Sequence, residues 1–264
     1  MVSFKSPLVM SLLASTVCCA PIADSDAIAT RAPSGKRGLA YNNARLLSAF
    51  SKNVVSFSWS YNWAGRSGGD THSTEFVPML WGPRAFGSWK GDAEASLGSG
   101  SKNLLAFNEP DIPEQANMSP EAAAEAYQKY MNPFEGKARL GSPAVSNGGS
   151  PRGLSWMGKF LDACGGKCKV DFLAIHWHDS AGNVAGFKSF VNDAISLAKK
   201  NGIGTVWITE FKGSGDEGAQ TKFLKEVLPW LDSNPGVERY AYYFADKLVR
   251  GDSLSSVGEA YTTV

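Results

Sequence analysis

Apolar and aromatic residues, many of them β-branched, fall in short runs about twenty to thirty positions apart, bounded by Gly, Pro, Asn or Asp, as buried strands between turns are. Eight such runs stand at 38–43, 56–63, 75–82, 103–111, 138–146, 170–178, 205–211 and 238–245. Between them lie stretches of helical period. Over 119–131, Ser119 is placed to cap and Pro120 to take the first turn; 184–201 closes on Lys199-Lys200 before Gly202. A third, 220–231, carries Phe223, Leu224, Val227, Leu228 and Leu231 along one face. Strand and helix alternating in this way predict parallel βαβ units, and eight is the number that closes a (β/α)8 TIM barrel. An open doubly wound sheet is the competitor. It loses its main support because Tyr41-Asn42-Asn43 follows the first strand where a nucleotide site needs G-x-G-x-x-G. No linker or repeat divides the chain, so one α/β domain is expected.

Residues 1–20 read as a secretory signal, with Lys5 before an apolar run at 8–14 and the small residues Cys18-Cys19-Ala20 at its end. Residues 21–37 are small, polar and without pattern, a propeptide or linker ending in the dibasic pair Lys36-Arg37, which is expected to be a processing site. The folded domain is then 38–264. No later stretch reaches the ~18 apolar residues that span a membrane. The full chain of 264 residues carries 26 Lys+Arg against 25 Asp+Glu, and removal of the first 37 leaves 22 against 23. Such balance excludes nonspecific binding to nucleic acid or an anionic membrane. Eight Trp, eight Tyr and fourteen Phe beside 28 Gly suit an uncharged ligand such as a sugar, whose apolar faces stack on aromatic rings. Two of the four cysteines leave with the signal; Cys164 and Cys168, in Cys-Gly-Gly-Lys-Cys, are expected to form a small disulfide in an exported protein. Asn117-Met118-Ser119 is a glycosylation sequon with Pro120 directly after it.

Chemistry in a barrel is assembled at the C-terminal ends of the strands, so a charge closing an apolar run is a candidate. Two glutamates qualify. Leu104-Leu105-Ala106-Phe107-Asn108-Glu109-Pro110 ends the fourth run, and Val206-Trp207-Ile208-Thr209-Glu210-Phe211 ends the seventh. Pro110 stops its strand and leaves Glu109 at the rim. Strands four and seven lie three places apart around eight, so inward carboxylates there face each other across the mouth. Facing carboxylates suit glycoside hydrolysis, in which one protonates the departing oxygen and the other attacks the anomeric carbon or activates water. The plainer alternative is two rim residues paired with Arg or Lys.

Asn-Glu-Pro at the fourth strand and Glu at the seventh resemble the large clan of retaining (β/α)8 glycosidases. More narrowly, the chain resembles the Asl1-like glycosyl hydrolases, glycoside hydrolase family 128. The matching stretches are Arg37-Gly38-Leu39-Ala40-Tyr41-Asn42, Trp59-Ser60-Tyr61-Asn62-Trp63, Phe76-Val77-Pro78-Met79-Leu80-Trp81-Gly82, Phe107-Asn108-Glu109-Pro110-Asp111 with Ala116-Asn117-Met118-Ser119-Pro120, Gly141-Ser142-Pro143-Ala144-Val145, Ile175-His176-Trp177 and Trp207-Ile208-Thr209-Glu210-Phe211. The resemblance spans residues 37–264. It implies hydrolysis of β-1,3-glucan with retention, Glu109 as acid/base, Glu210 as nucleophile, and Asn108 as a donor to the sugar hydroxyl beside the reacting carbon.

His176 and His178 stand two apart at the end of the sixth strand and so both point inward, as expected partners of Glu210 and of substrate. A metal site is not expected, because only His72 remains to complete one. The resembling family commonly has Tyr where His178 stands. Trp63 and Trp81 end adjacent strands and, with Tyr61, are expected to form a stacking wall, whereas alternation places Trp207 opposite to Glu210. Tyr240-Ala241-Tyr242-Tyr243-Phe244 lacks the Trp expected of related enzymes. The expectation is a secreted, monomeric β-1,3-glucanase without metal or organic cofactor. Its alternatives are a barrel glycosidase acting on another neutral β-glycan, such as a β-1,4-glucan or mannan, and a wall protein that binds β-glucan without cleaving it.

Overall fold

The computed structural model describes residues 1–3, 35–51 and 57–264. The chain divides into two compact units, Met1–Ala32 and Pro33–Val264; the expected signal sequence and most of 21–37 lie outside the described residues. In the second unit all eight expected strands form: β1 Arg37–Ala40, β2 Trp59–Tyr61, β3 Glu75–Phe76, β4 Asn103–Leu104, β5 Arg139–Leu140, β6 Phe172–Ser180, β7 Thr205–Ser214 and β8 Val237–Tyr242. Six make one parallel sheet in the order β3-β2-β1-β8-β7-β6, and β4 pairs with β5. Parallel bridges from Met79 to Leu105 and from Gly141 to Phe172 join the two sets into a closed ring, a TIM barrel. β3, β4 and β5 are two residues each; Pro78 and Pro143, which have no N–H to give the ladder, follow β3 and β5.

The helices answer to their caps. In α2, Pro120–Tyr130, Ser119 accepts from the Ala122 N–H at 3.2 Å; in α4, Val184–Lys200, Asn183 accepts from Gly186 N–H at 3.0 Å; in α5, Glu217–Ser233, Asp216 accepts from Ala219 N–H at 2.7 Å. Two further helices were not singled out from the sequence: α1, Phe86–Gly98, buries little beyond Trp89 and Ala93, and α3, Gly153–Cys164, packs Trp156, Met157 and Phe160. Alternation is also incomplete. A 3-10 turn at Ala44–Phe50 follows β1, and residues 62–74 join β2 to β3 without a helix. After β8 come α6, Ala245–Leu248, and α7, Ser256–Thr263.

Two apolar layers result. Outward residues such as Leu39, Leu173, Ile175, Ile208 and Phe211 pack under the helices, while Trp59, Tyr61, Met79, Leu105, Phe172 and Trp207 fill the barrel. Small residues make room for the large ones: a Cβ on Gly38 would stand 2.2 Å from the Trp59 ring, and one on Gly141 2.6 Å from Phe172. Trp207 therefore points into the barrel, stacked on Phe172 with ring centres 4.0 Å apart, and donates its indole N–H to Glu238 at 3.0 Å. Cys164 and Cys168 form the expected disulfide, with Cα atoms 5.4 Å apart.

The pair Lys36-Arg37 is not an exposed tail. Arg37 lies in β1 with its side chain 4% exposed, donating to the Tyr240 hydroxyl (2.8 Å), the Tyr261 carbonyl (2.8 Å), Asp232 (2.9 Å) and the Val264 carbonyl (2.5 Å). Lys36 donates to the carbonyls of Leu231 and Asn234 at the end of α5. A cut after Arg37 in the folded protein would sever β1 from its own register. Removing the guanidinium breaks a buried ion pair with Asp232 and takes the donor from three further acceptors, so Arg37→Met is expected to lower the unfolding free energy by about 3–5 kcal/mol in a urea titration; a loss under about 1 kcal/mol, the range of a surface pair, would show that the network is idle.

Candidate active site

Both glutamates reach the barrel mouth, and each does so through a backbone departure. After β4 the chain is fixed on either side, Asn108 N–H donating to Trp81 O at 2.9 Å and Glu109 N–H to Ala144 O at 2.8 Å. Glu109 itself has φ +42°, a left-handed conformation that costs a residue with a Cβ about 1–2 kcal/mol. Asp111 then accepts from the Ser146 hydroxyl (2.6 Å) and the Gly153 N–H (2.9 Å), tying the turn to the segment after β5.

On β7 the pairing runs Ile175 with Ile208 and then His176 with Glu210, and on the other side Ile208 with Tyr240 and then Phe211 with Tyr242. Thr209 is thus an extra residue, a β-bulge. Strict alternation would send Glu210 out with Ile208; the bulge turns it in, on the same side as Trp207, which corrects the expectation that the two are opposed. The Tyr61 hydroxyl donates to the Thr209 carbonyl at 2.9 Å and pins the bulge from across the barrel.

Glu210 is 5% exposed and well supplied with donors: the Trp63 indole N–H to Oε1 at 2.7 Å and His178 Nε2 to Oε2 at 2.9 Å. His176 Nδ1 stands 3.0 Å from Glu109 Oε1 and 3.5 Å from Glu210 Oε1. Burial works to raise the Glu210 pKa, but His176, then His178 and Trp63, outweigh it and hold the carboxyl below its ordinary range. Burial likewise opposes charge on His176, and Glu210 and Glu109 overcome it, keeping the imidazole above its usual value. Tyr61 and Tyr243 are pushed up by burial and then by the two carboxylates, so both keep their phenolic protons.

A cavity of about 370 Å³ opens over these groups, lined by Asn42, Trp63, Trp81, Asn108, Glu109, Gln115, His178, Glu210 and Tyr243. Six of the eight expected residues line it. Tyr61 and His176 do not: both are 0% exposed and lie beneath the floor, where they hold the bulge and the carboxylates instead of touching a ligand. Of the residues expected to form a stacking wall, Trp63 and Trp81 line the cavity, the latter backed by the Arg84 guanidinium 3.4 Å from its ring centre. Tyr243, in the stretch 240–244 that lacks the expected Trp, meets His178 edge-on at 4.9 Å and Trp63 at 5.8 Å. Asn42 and Tyr243 follow strand ends and were open to the same rule that found the glutamates; Gln115, in the turn after β4, carried no signal. It accepts from the Asn108 amide at 3.1 Å, while Asn108 Oδ1 is buried without a protein partner. Among the described residues, Glu109, His176 and Glu210 form a group near enough to share a cation, with one ligand atom of each within 4.8 Å of the others. There, however, Nδ1 faces two oxygens that only accept, so it carries a proton in place of a free lone pair.

A family model described as the glycosyl hydrolase catalytic core matches residues 38–261. The alkali-sensitive linkage protein 1 of Schizosaccharomyces pombe is 30% identical over 253 residues, which cover 86% of this chain and 44% of that one. The chain thus spans less than half the length of this curated relative. The crystal structure of a curdlan-specific exo-β-1,3-glucanase from Blastomyces gilchristii, in complex with glucose, has 67% identity and a TM-score of 0.87, covering 89% of this chain and 100% of that chain. A variant of an endo-β-1,3-glucanase from Amycolatopsis mediterranei, in complex with laminarihexaose, has 28% identity and a TM-score of 0.71, covering 86% and 98%. The ordered barrel, the paired glutamates and these matches agree, and the chain belongs to the glycosyl hydrolase catalytic core family, as an Asl1-like member of glycoside hydrolase family 128.

Proposed function

We propose that the protein is a secreted, monomeric hydrolase that cleaves β-1,3-glucan with retention of anomeric configuration, Glu109 acting as acid/base and Glu210 as nucleophile. The observation that carries this is the approach of the two carboxylates, with oxygens within 4.8 Å of each other on the floor of an aromatic-walled cavity. Retaining enzymes hold their carboxyl groups about 5–5.5 Å apart, whereas inversion needs room for a water between them, about 6.5–9.5 Å. The environments differ as the two roles require. Glu210 has three donor groups around it and is held ionised, ready to attack; Glu109 has His176 alone. Trp63 and Trp81 offer faces to glucosyl rings, and Asn108 lines the cavity beside Glu109. Attack from chain ends is supported by the exo action of the 67% identical relative.

In the first step the glycosidic C–O bond breaks, its electrons leaving with the oxygen that takes the Glu109 proton, while Glu210 bonds to the anomeric carbon. Water then attacks that carbon, gives its proton to Glu109, and the ester electrons return to Glu210.

Incubation with curdlan, cellulose and mannan, with products followed by mass, is expected to release glucose or short oligosaccharides from curdlan alone; release only from cellulose would overturn the substrate, and binding without products the enzymatic role. The first anomer seen by NMR is expected to be β. Glu210→Gln is expected to abolish release, Glu109→Ala to lower kcat by about 10²–10⁴-fold, and EDTA to change nothing. Because Glu210 must be ionised to attack and is held below its ordinary range, the acid limb of kcat/KM is expected under about pH 4.3. His178→Phe removes a donor to the charged form and is expected to move that limb upward; an unmoved limb would show that His178 does not tune the nucleophile.

A further inference from the structure

We propose that His176 is a positioning residue that serves both half-reactions, its one Nδ1–H lying between Glu109 and Glu210 and stabilising whichever of them holds the negative charge. The proposal rests on the roles given above to the two glutamates. During turnover the charge changes place: it starts on Glu210 with Glu109 protonated, and in the glycosyl-enzyme it sits on Glu109 while Glu210 is a neutral ester. The total facing His176 stays at one negative charge, so the imidazole keeps its proton throughout and transfers none.

The geometry supports this division. Glu210 has its own donors in Trp63 and His178, and His176 reaches it at 3.5 Å; Glu109 receives only the His176 contact, at 3.0 Å, among the described side-chain hydrogen bonds. Once Glu109 has lost its proton, that contact is the protein donor it has left. The far nitrogen, Nε2, is buried with no partner, so no hydrogen bond there commits the ring to one carboxylate over the other. The charged groups that act on the ring are Glu109 after β4, Glu210 on β7 and, at longer range, Asp111. Glu210, Glu109 and Asp111 raise the pKa of the imidazolium against burial, and in either protonation state the ring keeps its Nδ1–H toward the carboxylate oxygens.

Aryl β-laminaribiosides with good and poor leaving groups separate the two steps. A 2,4-dinitrophenyl leaving group needs no acid, so its kcat/KM reports attack by Glu210 and its kcat reports deglycosylation with Glu109 as base. In His176→Phe, which fills the ring's volume without a donor, both are expected to fall by about 10- to 100-fold, the loss of one hydrogen bond to a charged group. His176→Asn, which returns an N–H near the Nδ1 position, is expected to recover most of each. A fall in kcat with kcat/KM unchanged would overturn the proposal by confining His176 to Glu109, and unchanged values for both would overturn it outright. Melting temperatures of both variants separate these outcomes from misfolding. Azide rescue of Glu109→Ala on the same substrate tests the acid/base assignment independently: without rescue the underlying roles fail, whatever His176 does.

Discussion

Two carboxylates and an imidazole share a space of 4.8 Å at the top of a barrel whose interior is otherwise aromatic and dry. Two full negative charges at that separation repel by about 3–4 kcal/mol at an effective dielectric of ~20. The site lowers this by protonating one carboxyl and surrounding the other with N–H groups. Trp63, just after β2, and His176 and His178, both on β6, converge on Glu210 from two sides. Much of the local geometry follows from keeping that convergence intact.

The interior aromatics carry the requirement downward. Trp59, Tyr61 and Trp63 climb the inside of the barrel with ring centres 5.6 and 5.0 Å apart, the lowest seated against Gly38, the middle one hydrogen-bonded to the Thr209 bulge, the highest bonded to Glu210. Trp207, Phe172 and Trp59 close the lower end, where Glu238 accepts from Trp207, Thr205 and Arg139 and is held at a pKa of about 2, burial notwithstanding, by those donors. Packing and catalysis meet in Tyr61: buried and touching no ligand, it positions the peptide that turns the nucleophile inward.

The parts legible in the chain were those that local chemistry announces. Apolar runs ending in Asn108-Glu109-Pro110 and Thr209-Glu210 located the carboxylates, and Ser119 before Pro120 located a helix start. Two glycines between Cys164 and Cys168 announced the disulfide. Less visible were α1, whose buried face amounts to Trp89, Ala93 and Ser96, and the absence of a helix in 62–74. The surroundings of Lys36-Arg37 were not legible either, because a dibasic pair looks alike whether solvated or, as here, folded against Asp232 and the end of α5.

By itself, then, the sequence determined the eight strands, the ring they close, and which two carboxylates stand at its mouth, since these depend on hydrophobic period and on residues a few positions apart. The direction Glu210 faces was decided only in three dimensions. An extra residue such as Thr209 exists only relative to the register of β6 and β8, and counting along β7 alone puts Glu210 and Trp207 on opposite faces. The same holds for Tyr61 and His176, whose inward period was plain but whose depth was not. Alternation says which side of a strand a residue takes; only the height of the floor, set by the packed rings of the other strands, says whether it touches the ligand or supports the group that does.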